Sequence, residues 1–284
     1  MAGRRRSQFL LVAVVVVTAG CSGFAFGDGG DGTVSTVTPA PVPTDGAGAY
    51  PVGLGPSGVT SPSLLGAAHA DALNGTGYTL GMTRTVRYEN GTLRSYLRIE
   101  VALDADRTHF ANVSVRGHAA PVLLGRPPAS ASFWSDGDVY LRRLTRDNRT
   151  IYNEYEPPDS YAGTWRYWVH TAALNGRPAA DVTQTVAPFQ TRVATAGSGD
   201  ETEYVVSGDR LRRGEIGAPW SARRNATLAA RVTEDGLVRA YRTEYTATTG
   251  GERVRVTRTV RFDGVGNTTV GRPSWYGRAR STAG

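Results

Sequence analysis

The sequence predicts an α+β fold built on one large, curled antiparallel β-sheet, a half-barrel, with helices packed on its concave face. Three observations lead there. Apolar residues recur with a period of two through most of residues 78–262, the pattern of strands buried on one face. Tight-turn pairs punctuate those runs: Asn90-Gly91, Asp136-Gly137, Asp235-Gly236 and Gly250-Gly251. Only two stretches, 61–73 and 160–174, carry a helical period. Two short helices cover only part of a sheet of about ten strands, so the sheet is expected to curl around them.

Residues 1–20 read as a lipoprotein signal peptide. Arg4, Arg5 and Arg6 precede the apolar run 9–17, which is far shorter than the ~20 residues a spanning helix needs. Thr18-Ala19-Gly20-Cys21 follows directly. The expected outcome is cleavage before Cys21 and lipid attachment to its sulfur, which anchors the protein at the extracytoplasmic face of the membrane. Cys21 is the sole cysteine, so no internal disulfide can form. Arg5-Arg6 near Phe9-Leu10 resembles a twin-arginine signal, but Gln8 stands where that signal carries an apolar residue. The export route is therefore open between the twin-arginine and general pathways. Residues 21–49 hold the lipidated cysteine and a Gly/Asp/Thr/Pro-rich stretch that cannot bury enough apolar surface to fold, a flexible tether. Residues 50–284 read as a single domain, because no linker interrupts 50–280.

Within that domain, Ser61 caps a helix through residue 73, with Pro62 in its first turn and Asn74-Gly75 at its end. Leu65, Ala68, His69, Ala72 and Leu73 share its apolar face. Strands follow at 78–88, 93–103 and 107–116, then a hairpin of 130–135 with 139–145, and a further strand at 151–156. Pro157-Pro158 breaks the pattern, and Ser160 is expected to cap a second helix whose face carries Tyr161, Trp165, Trp168 and Ala172. Strands resume at 189–196 and 202–207 around Gly197-Ser198-Gly199, and 226–233, 237–248 and 253–262 form a meander. Val254, Val256, Val260 and Phe262 alternate with Arg253, Arg255, Thr257, Thr259 and Arg261 in the last of these.

Composition narrows the function. The chain has 284 residues and a net charge of +7, and all 32 of its basic residues counted as Lys+Arg are arginines. Without Arg4, Arg5 and Arg6, 29 arginines face 25 acids, a mild excess of +4 spread along the mature chain. A nucleic-acid binder concentrates its charge or carries a recognisable module, and neither is present, so nucleic acid is not an expected partner. His69, His109, His118 and His170 have no metal-ligand spacing. No Gly-x-Ser-x-Gly elbow, Walker or dinucleotide pattern occurs. Asp136 and Asp138 fit turn chemistry better than a calcium loop. The expectation is a protein that is not an enzyme and takes neither metal nor cofactor.

Two sets of candidate residues remain. Leu97, Ile99, Val101, Trp165, Trp168, Val254 and Val256 point to the concave side of the expected half-barrel and are candidates to line a cavity for an apolar ligand. Whether side chains or a ligand fill that space is left open. Asn-x-Ser/Thr sequons begin at Asn74, Asn90, Asn112, Asn148, Asn225 and Asn267, and export makes them available for N-glycosylation.

Several short motifs occur in a fixed order: the Thr18–Cys21 lipobox, the tether, Tyr50-Pro51-Val52-Gly53, Gly58-Val59-Thr60, Ala67-Ala68-His69-Ala70 and Tyr78-Thr79. Phe133-Trp134-Ser135-Asp136-Gly137 and Pro273-Ser274-Trp275-Tyr276 complete the set. With these the chain resembles, over nearly its whole length, a haloarchaeal family of membrane-anchored lipoproteins. The layout is similar to the half-barrel of lipoprotein carriers and mycobacterial lipid-binding lipoproteins. Haloarchaeal surface proteins are usually acidic, whereas this chain is basic. The resemblance implies a lipid-anchored envelope protein that binds a lipid-like or amphiphilic ligand. The alternative is a structural or interaction lipoprotein with a filled core, whose protein partners the sequence does not name.

Overall fold

The computed structural model describes residues 50–155, 163–173, 176–196, 202–212 and 223–282. The signal peptide, Cys21, the tether, the helix start expected at Ser160 and the Gly197-Ser198-Gly199 turn lie outside the described residues. A small hairpin, β1 (Leu54–Gly55) with β2 (Gly58–Val59), leads into α1 (Pro62–Leu73). Ser61 caps α1 as expected, its hydroxyl accepting from the Leu64 N–H at 3.4 Å. Six strands follow: β3 (Tyr78–Tyr88), β4 (Leu93–Leu103), β5 (His109–Arg116), β6 (Ala129–Ser135), β7 (Tyr140–Arg146) and β8 (Arg149–Tyr155). Helices α2 (Thr164–Ala172) and α3 (Pro178–Val186) precede β9 (Phe189–Ala196), β10 (Glu203–Leu211), β11 (Arg224–Thr233), β12 (Val238–Thr249) and β13 (Glu252–Asp263). The short helix α4 (Tyr276–Ser281) ends the described chain.

Each expected strand is present, with ends shifted by a few residues; β10, expected to stop at 207, runs on to Leu211. The turn chemistry holds locally. Thr249 pairs with Glu252 around Gly250 and Gly251, both at positive φ (59° and 80°), the conformation a two-residue hairpin loop demands. The large sheet has eleven strands in the order β8-β7-β6-β5-β4-β3-β13-β12-β11-β10-β9, and every pairing is antiparallel. Two meanders, β3 to β8 and β9 to β13, therefore join where β3 pairs with β13, from Tyr88↔Val254 to Thr79↔Asp263.

This order explains where the helices lie. β8 and β9 are opposite edges, separated by ten inter-strand spacings of about 4.8 Å each. The chain from β8 to β9 must cross the sheet, and it does so over the apolar face as α2 and α3. Trp168, Val169 and Ala172 of α2, and Val182 and Val186 of α3, join one continuous core with Leu65 and Leu73 of α1 and the inward residues of both meanders.

The expected half-barrel requires a correction. The sheet is large, antiparallel and covered by few helices, as the alternation implied, but it is neither closed nor strongly curled. The curl was expected because two helices seemed too few to cover the face. A third, α3, packs beside α1 and extends the cover, so the sheet need not wrap. On the opposite face, Trp275 and Ala279 of the C-terminal segment pack on Trp134 and Leu141, covering one end of β6 and β7.

A cationic cleft at the helical layer

On the helical side lies a cleft of about 320 Å³ between the end of α1 and α2, within the size range of small-molecule sites. Leu73, Trp165, Val169 and Tyr78 give it apolar walls, and Arg107, Arg166, His170 and Asp71 also line it. The guanidinium carbons of Arg107 and Arg166 lie 5.3 Å and 5.2 Å from the Trp165 ring centroid, so two cations share one indole. Arg107 holds a left-handed backbone (φ 76°) in the β4–β5 turn, where its N–H bonds the Asp104 carbonyl at 3.0 Å. Its Nη1 donates to the Thr76 carbonyl at 3.2 Å, which ties the turn to the end of α1.

Burial dominates the electrostatics of the cleft, with the neighbouring arginines acting second. The His170 imidazole is held below its ordinary range by partial burial and then by repulsion from Arg177 and Arg166. The Tyr78 hydroxyl is pushed up to about 12 by burial, against the pull of Arg107. Apolar walls beneath guanidinium groups suit a molecule with an apolar body and an anionic head.

Beneath the helices lies a second polar feature. Arg258 on β13 points into the core, where it is 4 % exposed. It donates to Tyr241 Oη at 2.7 Å, to Asp181 Oδ2 at 2.9 Å and to the Ala172 carbonyl at 2.7 Å. Tyr241 also donates to Asp181. One guanidinium thus ties the end of α2, the start of α3 and strands β12 and β13 together. Burial raises the Tyr241 hydroxyl well above its usual range. His69, fully buried on α1, accepts from the Val238 N–H through Nδ1 at 3.2 Å and packs edge-on against Phe262. Each of these contacts links elements of the scaffold, and the cleft lining includes none of the four side chains.

The structure disperses the residues expected to line a cavity. Leu97, Ile99, Val101 and Trp168 are buried in the main core and packed by protein. Trp168 sits 4.4 Å from the Phe133 ring and donates to Tyr140 Oη at 3.4 Å. Val254 and Val256 belong to a separate small cluster with Val86. Only Trp165 lines the cleft. Arg107 and Arg166 escaped the sequence reading, although Arg166 beside Trp165 on a helix was a usable signal. Asn74, Asn90, Asn148, Asn225 and Asn267 are exposed at or near element ends, whereas Asn112 is half-buried in the middle of β5. Among the described residues, no group of three or more His, Cys, Asp or Glu could hold a metal ion, and no helix is long and apolar enough to cross a membrane.

No protein-family model and no curated protein matches the chain. Solved structures to which the chain is similar include LprF from Mycobacterium bovis, at a TM-score of 0.35 and 10 % identity over 76 % of this chain and 99 % of that one. The LolA superfamily protein NE2245 from Nitrosomonas europaea has a TM-score of 0.23 and 8 % identity over 74 % and 95 % of the two chains. A putative outer membrane lipoprotein-sorting protein domain from Vibrio parahaemolyticus gives 0.20 and 5 % over 76 % and 96 %. Likenesses this distant fix neither a fold family nor a function.

Proposed function

We propose that this protein is exported, anchored through a lipid on Cys21 at the extracytoplasmic face of the membrane, and binds an amphiphile with an anionic head. The observation that carries the reading is the α1–α2 cleft, where Arg107 and Arg166 bracket Trp165 above apolar walls. The apolar part of the ligand packs on Trp165, Leu73 and Val169, and its head group meets the two guanidinium groups. The basic, apolar and small-residue order of Arg4 to Cys21 supports the anchor.

A second reading, a structural or interaction lipoprotein of the envelope, is favoured by one specific observation. Ile99 and Val101, beneath the helices, are at 0 % exposure. Mass spectrometry of lipids co-purified with the full-length chain separates the two, with an Arg107→Glu/Arg166→Glu double variant as the control for bulk membrane lipid. A stoichiometric anionic amphiphile that the variant loses is the expected result. Identical lipid content in both proteins overturns the binding reading and leaves the structural one.

A further inference from the structure

The face of the sheet opposite the helices holds a polar trough of about 360 Å³ across β4, β5, β6 and β7. Its shape follows from side-chain length in register. In one row Arg98 faces Ser114, Ser114 faces Ser130, and Ser130 faces Thr145. In the next, Glu100 faces Asn112, Asn112 faces Ser132, and Ser132 faces Arg143. Short residues on the two middle strands lie between longer ones on the outer two, so the middle sinks. The far end along the strands is bounded by the C-terminal segment, where the Arg143 guanidinium lies 5.8 Å from the Trp275 centroid. At the other end the hollow continues toward Arg116, whose guanidinium covers the Tyr96 ring at 4.4 Å.

The chemistry of this lining is mixed. Arg143 donates to Ser132 Oγ at 3.1 Å, and Ser132 donates to Asn112 Oδ1 at 2.7 Å, which fixes the floor. Guanidinium groups have five N–H donors each, more than these bonds use, while the hydroxyls and Asn112 both donate and accept. Glu100 in the wall accepts only, and one of its oxygens already takes the Arg98 guanidinium at 2.5 Å, which leaves its other oxygen and the remaining Arg98 N–H groups for a ligand. A ligand made of acceptors alone would satisfy the arginines and be repelled by Glu100. A ligand rich in hydroxyl groups with some carboxylate matches both. The rings at its two ends, Tyr96 and Trp275, each lie under a guanidinium, of Arg116 and Arg143, and no aromatic side chain lines the trough itself, so it offers no open platform on which a nucleic-acid base could stack.

We propose that this trough binds a segment of an acidic polysaccharide, its carboxylates on Arg98 and Arg143 and its hydroxyls on the serine floor. The site is independent of the α1–α2 cleft and of the lipid anchor, and lies on the opposite side of the sheet. Isothermal titration of the full-length chain with a hexameric galacturonate tests it, against a neutral galactose hexamer, sodium sulfate and a single-stranded DNA 12-mer. The acidic hexamer is expected to bind at least tenfold tighter than the neutral one and to weaken with added salt. Arg98→Gln, Arg143→Gln and Ser130→Leu should each weaken it about tenfold, while Arg242→Gln, on the same face outside the trough, changes it less than twofold. Thermal melts establish that each variant is folded. Equal binding of the neutral hexamer, tighter binding of DNA, no binding, or sulfate competing at the concentration of a single hexamer carboxylate each overturns the proposal.

Discussion

At the scale of residues, the departures from simple patterning are buried polar groups, and they set the acid sensitivity of the protein. Burial drives both His69 and His109 down to about 4, from an ordinary value of 6.5. His109 lies between the Arg107 carbonyl at 3.4 Å and Thr164 Oγ1 at 3.2 Å, an arrangement that suits a neutral ring. At pH 5 the folded protein keeps both rings neutral while the unfolded chain protonates them. The unfolded state then binds more protons, so stability falls as pH drops from about 6.5 to about 4 and levels off below. A shift of this size corresponds to about 3 kcal/mol per ring at the low-pH limit. Urea midpoints measured from pH 7 to pH 4 should fall, and should fall less in a His69→Gln/His109→Gln double variant. Parallel profiles for the two proteins would refute the assignment. Arg258 shows what the sequence did and did not disclose. It falls in phase with Val254, Val256, Val260 and Phe262, so alternation alone places it indoors. Its partner Asp181 is 77 residues away on a helix with weak signals, and no local pattern joins the two.

Elements were legible where a single period ran long. Strands such as β4 and β13 declare themselves through eleven or twelve alternating residues. Helix α3 has nine residues, two threonines and no side-chain cap, so its buried face of Asp181, Val182, Thr185 and Val186 is too brief to stand out. Its omission led directly to the expectation of a curled sheet. Element context also decides which sequons are usable. Asn90 and Asn74 occupy a hairpin turn and a helix end, where the chain can leave the surface to meet a modifying enzyme. Asn112 lies in the ladder between Glu100 and Ser132, and its Oδ1 accepts the Ser132 hydroxyl. Glycopeptide mass spectrometry of the protein from its native host should therefore find glycan, where it finds any, at Asn74, Asn90, Asn148, Asn225 or Asn267, and none at Asn112. Glycan at Asn112 on folded protein would contradict the burial argument and would also fill the polar trough.

At the scale of the whole molecule, the alternation told which face of each strand is apolar but could not tell whether the space above that face is full. That depends on summed side-chain volume across three helices and eleven strands, and no single segment carries it. The result is a main core cluster running from Leu144 on β7 to Phe189 on β9, which crosses the join of the two meanders through Leu80 and Met82 of β3 and Val260 and Phe262 of β13. Arg258 fastens the helical layer to this sheet through Tyr241, Asp181 and the Ala172 carbonyl. Replacing it by methionine takes the Arg258 guanidinium away from the buried Asp181 carboxylate, and removing one partner of a buried pair costs about 3–5 kcal/mol. Because the core is continuous, that loss should not melt the helices alone. Far-ultraviolet circular dichroism reports the sheet, and tryptophan fluorescence reports Trp165 and Trp168 on α2, Trp134 and Trp275 on the opposite face, and Trp220, which lies outside the described residues. In urea both signals should move to lower midpoint together in Arg258→Met, with coincident transitions before and after. An Asp181→Leu/Arg258→Met double variant, which removes both charges, should recover part of the loss. If fluorescence changed well before circular dichroism in Arg258→Met, the helical layer would be a separate unit resting on an independently stable sheet, and the continuity of the core would not be what holds the two layers as one.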